Sequence, residues 1–321
     1  MQYNSLVRCA VAHAGNDHRL GAQEAPPAII SLYPGTGFEK HVDAIIAGGP
    51  LLGYLAEKKL ADPKASAAMG APCGVEDRNR TAPFPFCGNR FEFRAVGSSQ
   101  NCSFPIALVN TIMAAGMSAI SDLIEGGKSH RDAVAEVYKE NRSVIFTGNG
   151  YAPEWPDEAK KRGLQNLNTT PLAIETFTDA KNIAIFGKTG VFSEEEAEAR
   201  AEVMYENYVT TLSIEAATLI SMVETGIIPA CAKDLATYEG MKSLAGEREG
   251  IYKSIKTETD KLKSLVDGKP HELKKEAEFF CDSVKPQMAA VRALVDKAEG
   301  LMKTGLYPYP TYEEMIYSHH S

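Results

Sequence analysis

Two arginines and a glutamate alternate with aromatic residues in one short segment, Arg90-Phe91-Glu92-Phe93-Arg94. Alternate side chains of an extended strand share a face, so Arg90, Glu92 and Arg94 are predicted to lie together, opposite the two phenylalanines. Such a row can bind anions through its guanidiniums and offer carboxylate oxygens to a divalent cation. The same alternation is typical of a salt-bridge ladder on an exposed sheet face. The residues by themselves leave both interpretations open.

A second polar cluster lies near the start of the chain and ends at the rigid Pro26-Pro27 pair. A loop that is rich in polar groups and has a stiff exit can clamp a substrate. A polar surface turn is the alternative interpretation of the same residues. The candidate residues in this cluster are Asn16, Asp17, His18, Arg19 and Glu24.

The elements that would position these groups follow from apolar spacing and from glycine and proline. Residues 1–103 predict loops and short strands, and residues 104–125 predict one helix that ends at a glycine pair. The chain beyond residue 128 is predicted to be mostly helical, with a long helix that begins after Ser193. Residues 248–299 predict an exposed helical pair of unassigned role. The predicted fold class is mainly α with a small α+β portion.

Charge and composition exclude several classes of protein. The 321 residues carry a net charge of −8, which argues against binding to nucleic acid. The six cysteines are scattered without a CxxC pair, which favours reduced thiols in a reducing compartment. From Ala95 to Ser121 no residue is charged, a length that could span a bilayer. Its polar and small residues favour a buried helix in a globular core instead, and no membrane partner is expected.

Two segments together resemble a known family. Residues 14–31 (AGNDHRLGAQEAPPAIIS) and 77–101 (DRNRTAPFPFCGNRFEFRAVGSSQN) resemble two blocks of the catalytic domain of type III glutamine synthetases. Residues 158–173 and the YPYPTYEEM segment also resemble that type. The resemblance implies that residues 1–125 are the C-terminal part of the catalytic domain. Residues 126–321 would then be a helical C-terminal domain, with a helical bundle region.

The resemblance also implies roles for six residues. Glu24 and Arg80 are implied to be catalytic, the first on a flap that shields the intermediate and the second on the transferring phosphate. Arg19 and Arg94 are implied to bind the substrate, and Arg90 to contact the nucleotide. Glu92 is implied to be a metal ligand.

The implied activity is that of a glutamate–ammonia ligase, which forms glutamine through a γ-glutamyl phosphate. Its partners would be glutamate, ammonia and ATP, with Mg²⁺ or Mn²⁺ as cofactor. Full-length relatives are dodecamers, so a homo-oligomer is expected. The expected location is the cytoplasm, or a plastid if the source is an alga.

The sequence departs from the family pattern at two points. Pro85 stands where shorter types have a phosphate-binding arginine, five residues beyond Arg80. The family takes most of its metal-ligand carboxylates from sequence upstream of these motifs. We therefore expect the chain to be a C-terminal fragment that is inactive by itself. The alternative is a non-catalytic assembly or regulatory partner of full-length glutamine synthetase.

Overall fold

The computed structural model describes residues 1–22, 25–54, 59–61, 71–73, 82–88 and 90–317. It divides into two compact units, Met1–Met204 and Tyr205–Ser321, and the division falls within one long helix. The sequence-based boundary at residue 125 is a different proposal, and it stays a prediction.

The first unit contains short strands and helices of mixed length. Its strands are β1 (Leu32–Tyr33), β2 (Lys59–Ala61), β3 (Ala71–Cys73) and β4 (Phe84–Pro85). Its helices are α1 (Asn4–Cys9), α2 (Ala14–Arg19), α3 (Thr36–Ile46), α4 (Ser103–Glu125), α5 (His130–Glu140), α6 (Trp155–Lys161), α7 (Thr170–Glu175), α8 (Ala180–Thr189) and the first part of α9 (Glu194–Met222). The predicted fold class, mainly α with a small β-containing portion, is confirmed.

The strands of the first unit pair two by two. β1 is parallel to β4, with Leu32 opposite Phe84 and Tyr33 opposite Pro85. β2 is antiparallel to β3. Residue 85 is thus a strand residue in a buried setting, and its proline ring offers no cation in place of the arginine of shorter types.

The predicted helix over residues 104–125 is confirmed as α4, which ends at Gly126. The prediction that it is buried is wrong within the described structure. Only Pro105, Leu108 and Thr111 are buried, whereas Met113 and Met117 are 60% and 67% exposed. Periodicity fixes the helix because it is local, but burial depends on what packs against it. Two helical segments, α4 and Glu194–Ala236, are long and apolar enough to cross a membrane. The core helices of globular proteins can have the same length and composition.

Arg142 joins α3 to the segment that follows α5. Its guanidinium donates to Glu39 at 2.6 Å and to both carboxylate oxygens of Asp43 at 2.6 and 3.0 Å. The hydrogen bond from Arg142 holds the pKa of Asp43 below its ordinary value of 3.8.

This lowered pKa predicts a small acid dependence of stability. The folded state favours ionised Asp43. The contribution of Asp43 to folding stability is therefore complete above pH ~4, and it is lost as pH falls through the lower pKa of the folded state. Because the side chain is half exposed, we expect less than about 1 kcal/mol from it. Urea unfolding of Asp43→Asn and the parent chain between pH 3 and 7 measures it. The stability gap should narrow toward pH 3, and a gap that stays constant with pH would contradict the assignment.

The second unit is helical in its described residues. After α9 come α10 (Ile228–Ala236), α11 (Arg248–Asp267), α12 (Leu273–Phe279), α13 (Lys285–Leu301) and α14 (Tyr312–Tyr317). The helical pair predicted over residues 248–299 is therefore present, with α11 as its first member and α13 as most of its second. Each buries one stripe of side chains at helical spacing. These stripes are Tyr252, Ile255, Thr259 and Leu262 on α11, and Gln287, Val291, Val295 and Ala298 on α13.

Two π-helical turns, Val223–Ile227 and Phe280–Val284, lie just before prolines in these helices. Pro229 and Pro286 each lack the N–H that an α-helix would pair with a carbonyl one turn earlier. The wider π turns accommodate this loss and let the helix continue. At the first of them, Tyr309 of the Pro/Tyr tail donates its hydroxyl to the carbonyl of Met222 at 3.0 Å. This tail, residues 307–310, therefore contacts the helix at the π turn.

Asp234 is the centre of a buried polar network in the second unit. Its side chain is 0% exposed and receives the Tyr252 hydroxyl at 2.7 Å and the backbone N–H of Lys303 at 2.9 Å. Arg248 Nε lies 3.2 Å from the same carboxylate, and its other nitrogens donate to the carbonyls of Ala245 and Leu301. One carboxylate thus ties α10 and α11 to the end of α13.

Candidate active site

The alternating Arg-Glu-Arg segment lies in an irregular antiparallel hairpin. The N–H of Glu92 donates to the carbonyl of Pro85 at 3.0 Å, and the N–H of Arg94 donates to that of Pro83 at 2.8 Å. The pairing holds the segment extended, so the predicted alternation is present although only Phe91 is assigned a β-bridge. The two arginines and the glutamate share a face, as their spacing predicted.

Glu92 lies between the two guanidiniums of this face. Its Oε1 accepts from Arg90 at 2.9 Å, and its Oε2 accepts from Nη2 of Arg94 at 3.1 Å. The hydrogen bond from Arg94 is the largest influence that holds the pKa of Glu92 below its usual range, followed by one from Cys87. Glu92 is therefore a carboxylate at neutral pH, with both oxygens engaged by arginine.

The opposite face of the hairpin is aromatic. The ring of Phe84 packs 5.6 Å from that of Phe91 and 5.2 Å from that of Phe93, measured between centroids. Phe86 lies 5.2 Å from Phe91. This aromatic face is only partly buried, because Phe91 remains 44% exposed. These contacts orient the hairpin so that its charged side chains face away from the rings.

Arg19 reaches this hairpin from the end of α2. Its Nη2 donates to the carbonyl of Arg94 at 2.9 Å, and its Nη1 lies 3.2 Å from the carbonyls of Ala95 and Val96. Two positions that are 75 residues apart in sequence are thereby brought together. Arg19 is thus held against the backbone next to Arg94 rather than free to swing.

Asn16 is a supporting residue whose role the sequence did not reveal. It is fully buried; its Nδ2 donates to the carbonyls of Val11 and Ala95 at 2.8 and 3.1 Å, and its Oδ1 accepts from Arg19 at 3.1 Å. The spacing of the two residues could have indicated this contact, because residues three apart on a helix are neighbours and Asn16 lies three residues before Arg19.

A cavity of about 330 Å³ lies between α2 and the hairpin. Three of the six residues to which the resemblance gives roles line it, namely Arg19, Glu92 and Arg94. Its remaining lining residues are Leu20, Ala25, Pro26, Ala82, Pro83 and Ala95. A wall with two guanidiniums and one carboxylate, closed by apolar residues, suits a small anion such as a carboxylate or phosphate.

The other three candidates differ in placement. Arg90 contacts Glu92 but points outward, with 61% of its side chain exposed. It is not among the residues that line the cavity. Glu24 and Arg80 lie outside the described residues, so their predicted roles stay predictions.

The donor set at the cavity fits an anion better than a metal ion. Mg²⁺ takes several oxygen ligands in an octahedral arrangement. The cavity wall offers one carboxylate, and arginines occupy both of its oxygens. Within the described ranges, no group of three or more His, Cys, Asp or Glu residues could hold a metal. These residues therefore do not fit a complete Mg²⁺ or Mn²⁺ site.

Comparison with known proteins shows which proteins this chain is similar to. Residues 131–241 match the family described as the glutamine synthetase C-terminal domain. The Type-3 glutamine synthetase of Dictyostelium discoideum is 34% identical, over 97% of this chain and 46% of that protein. The glutamine synthetase of Bacteroides fragilis (strain YCH46) is 30% identical, over 98% of this chain and 47% of that protein. The glutamine synthetase of Butyrivibrio fibrisolvens is 33% identical, over 99% of this chain and 48% of that protein.

The fold is mainly helical, and the lining of its arginine-walled cavity suits a small anion. The chain is similar to glutamine synthetases over nearly its whole length, and part of it matches their C-terminal domain, which confirms the resemblance seen in its motifs. Its similarity to the type-3 form extends over nearly its whole length. It spans slightly less than half the length of the curated relatives that it matches.

Proposed function

We propose that this chain carries the arginine side of a glutamine synthetase active site. The reaction joins ammonia to the side-chain carboxylate of glutamate and consumes ATP, through a γ-glutamyl phosphate. The observation that carries the proposal is the convergence of Arg19, Glu92 and Arg94 on one cavity, in a chain related to glutamine synthetases. That relationship favours the synthetase over a non-catalytic assembly partner.

The cavity residues suit the charge problem of this reaction. An acyl phosphate forms between two anions, so cationic groups must offset their repulsion. Arg94 borders the cavity and is oriented by its contact with Glu92. Arg19 borders the same cavity beside the backbone of Arg94. We assign Arg19 to the substrate carboxylate and Arg94 to the substrate and its phosphate.

The remaining roles follow the family pattern. Arg90, which points outward beyond Glu92, is assigned to the nucleotide side. Arg80 is assigned to the transferring phosphate. Glu24 is assigned to a flap that excludes water, because water would hydrolyse the acyl phosphate. Glu24 is also assigned to help take a proton from ammonium.

A divalent cation would supply charge neutralisation for the phosphate in this reaction. Glu92 is the residue of this chain that we assign as a ligand to it, although its two oxygens now face arginines. The further ligands must come from polypeptide outside the described residues. We accordingly propose that the chain by itself has little activity and works within a longer polypeptide or a homo-oligomer, in the cytoplasm or a plastid.

A chimera tests the proposal. This chain replaces the matching region of a Type-3 relative, and glutamine formation is measured with glutamate, ammonia, ATP and Mg²⁺. Restored synthesis supports the proposal, and the unaltered relative is the control for expression and assembly. An assembled chimera without activity would overturn it. The isolated chain is assayed in parallel, and robust activity there would refute the predicted dependence on further sequence.

A further inference from the structure

Asp17 connects the short helix α2 to a helix more than 150 residues away in the sequence. Its Oδ1 accepts the backbone N–H of Thr170 at 2.8 Å and lies 2.7 Å from the hydroxyl of Thr170. Thr170 is the first residue of α7, whose own N-cap residue, Thr169, makes no side-chain cap. Asp17 therefore supplies the cap from a remote part of the chain, with its negative charge at the favourable end of the helix.

A buried arginine reinforces this connection. Arg8 is 1% exposed; its Nε donates to the carbonyl of Leu167 at 2.8 Å, and its Nη2 lies 3.9 Å from Oδ1 of Asp17. Neither of its Nη atoms has a hydrogen-bond partner among the described residues. Since a buried guanidinium needs a counter-charge, Asp17 serves both Arg8 and Thr170.

Arg19 depends on this arrangement. It is two residues beyond Asp17 on a helix of six residues, which is too short to be stable by itself. The direction of α2 must therefore come from its tertiary contacts, and the carboxylate of Asp17 is fully buried at one of them. A shift of α2 would separate Arg19 from the carbonyls of residues 94–96.

We propose that Asp17 is a positioning residue that fixes Arg19 at the cavity by anchoring α2 to α7. Thr170 and Leu167 both lie within the matched C-terminal family domain at residues 131–241. That domain thereby contributes to the site without touching the cavity. What Arg19 binds rests on the proposed function, whereas its placement by Asp17 does not.

The placement is tested in this chain by NMR of the arginine side chains. Exchange of the guanidinium protons of Arg19 with water should be at least tenfold faster in Asp17→Ala. The increase should be smaller in Asp17→Asn, which keeps the oxygen acceptor but not the charge that faces Arg8. Arg142, held by Glu39 and Asp43, reports whether the fold is intact. Unchanged Arg19 exchange in folded Asp17→Ala would overturn the proposal. If that variant does not fold, Thr170→Ala, which removes only the hydroxyl, should raise the exchange rate about threefold, and no change would overturn the proposal.

The functional consequence is tested in the chimera. Asp17→Ala should raise KM for glutamate about tenfold with kcat changed less than threefold, because a misplaced Arg19 weakens ground-state and transition-state binding alike. Asp132→Ala is the matched control, since Asp132 is also in the first turn region of a helix, α5, and is exposed. Faster exchange of the Arg19 protons with an unchanged KM would support the positioning of Arg19 by Asp17. It would also contradict the assignment of Arg19 to glutamate binding. A fall in kcat with unchanged KM and unchanged Arg19 exchange would contradict both the positioning of Arg19 by Asp17 and the assignment of Arg19 to glutamate.

Discussion

Replacing Arg94 by alanine is expected to lower kcat/KM for glutamine formation in the chimera by about 10²- to 10³-fold. Arg94 lies on the cavity wall, and two hydrogen bonds to Glu92, at 3.1 and 3.3 Å, fix its guanidinium. A preorganised cation acts most strongly where negative charge develops. Removing Arg94 also takes the arginine partner away from Oε2 of Glu92, while Arg90 still pairs with Oε1.

Arg94→Lys should recover only part of the loss, because lysine keeps the charge but not the planar pair of donors. Arg131→Ala is the matched control, since Arg131 is an exposed arginine that pairs with Asp132 on α5. Thermal unfolding of each variant shows whether the fold is retained. If Arg94→Ala stays within twofold of the parent, the Arg-Glu-Arg row is a structural ladder and the proposed site is wrong.

Asp234→Ala is expected to lower the free energy of unfolding of the second unit by about 3–5 kcal/mol. Its carboxylate is fully buried and accepts hydrogen bonds from Tyr252 and Lys303 while it pairs with Arg248. Alanine would take the carboxylate away from all three of these residues at once. The largely buried guanidinium of Arg248 would then lack its counter-charge. Burial and the hydrogen bond to Asp234 also raise the pKa of Tyr252, so that tyrosine stays a neutral donor at physiological pH.

Urea unfolding followed by far-UV circular dichroism measures this loss. Asp260→Ala is the matched control, because Asp260 forms an exposed helical pair with Lys256, and it should cost less than about 0.5 kcal/mol. Asp234→Asn should fall between the two, since it keeps an oxygen acceptor but not the charge. Equal stability of Asp234→Ala and Asp260→Ala would show that the buried network contributes nothing to this unit.

The candidate site could be predicted from the sequence as far as local geometry reaches. Alternation placed Arg90, Glu92 and Arg94 on one face because side chains of an extended chain alternate whatever surrounds them. It could not show that Glu92 would be held by both arginines, which depends on rotamers. Nor could it show that Arg19 would lie against the backbone of Arg94, because hydrogen bonds across 75 residues leave no periodic signal.

The helices show the same limit in a different form. The start of α9 was predicted from Ser193, and the reciprocal bonds between Ser193 and Glu196, at 2.8 and 3.2 Å, confirm the cap. The burial of α4 was predicted wrongly. This helix carries no charge from Ser103 to Ser121, so its sequence has no local feature that tells a packed face from an exposed one. The π turns before Pro229 and Pro286 were not predicted, although the prolines gave a signal for them.

The sequence by itself determined the fold class, the positions of the long helices, the resemblance to glutamine synthetases and the shared face of Arg90, Glu92 and Arg94. These follow from short-range regularities: helical spacing, strand alternation, capping residues and two distinctive motifs. Only the tertiary structure decided that Arg19 and Arg94 border one cavity and that Asp17 caps a helix beginning at Thr170. The reason is physical, since a buried carboxylate takes whatever donors the folded chain brings within about 3 Å, and sequence separation does not limit that choice.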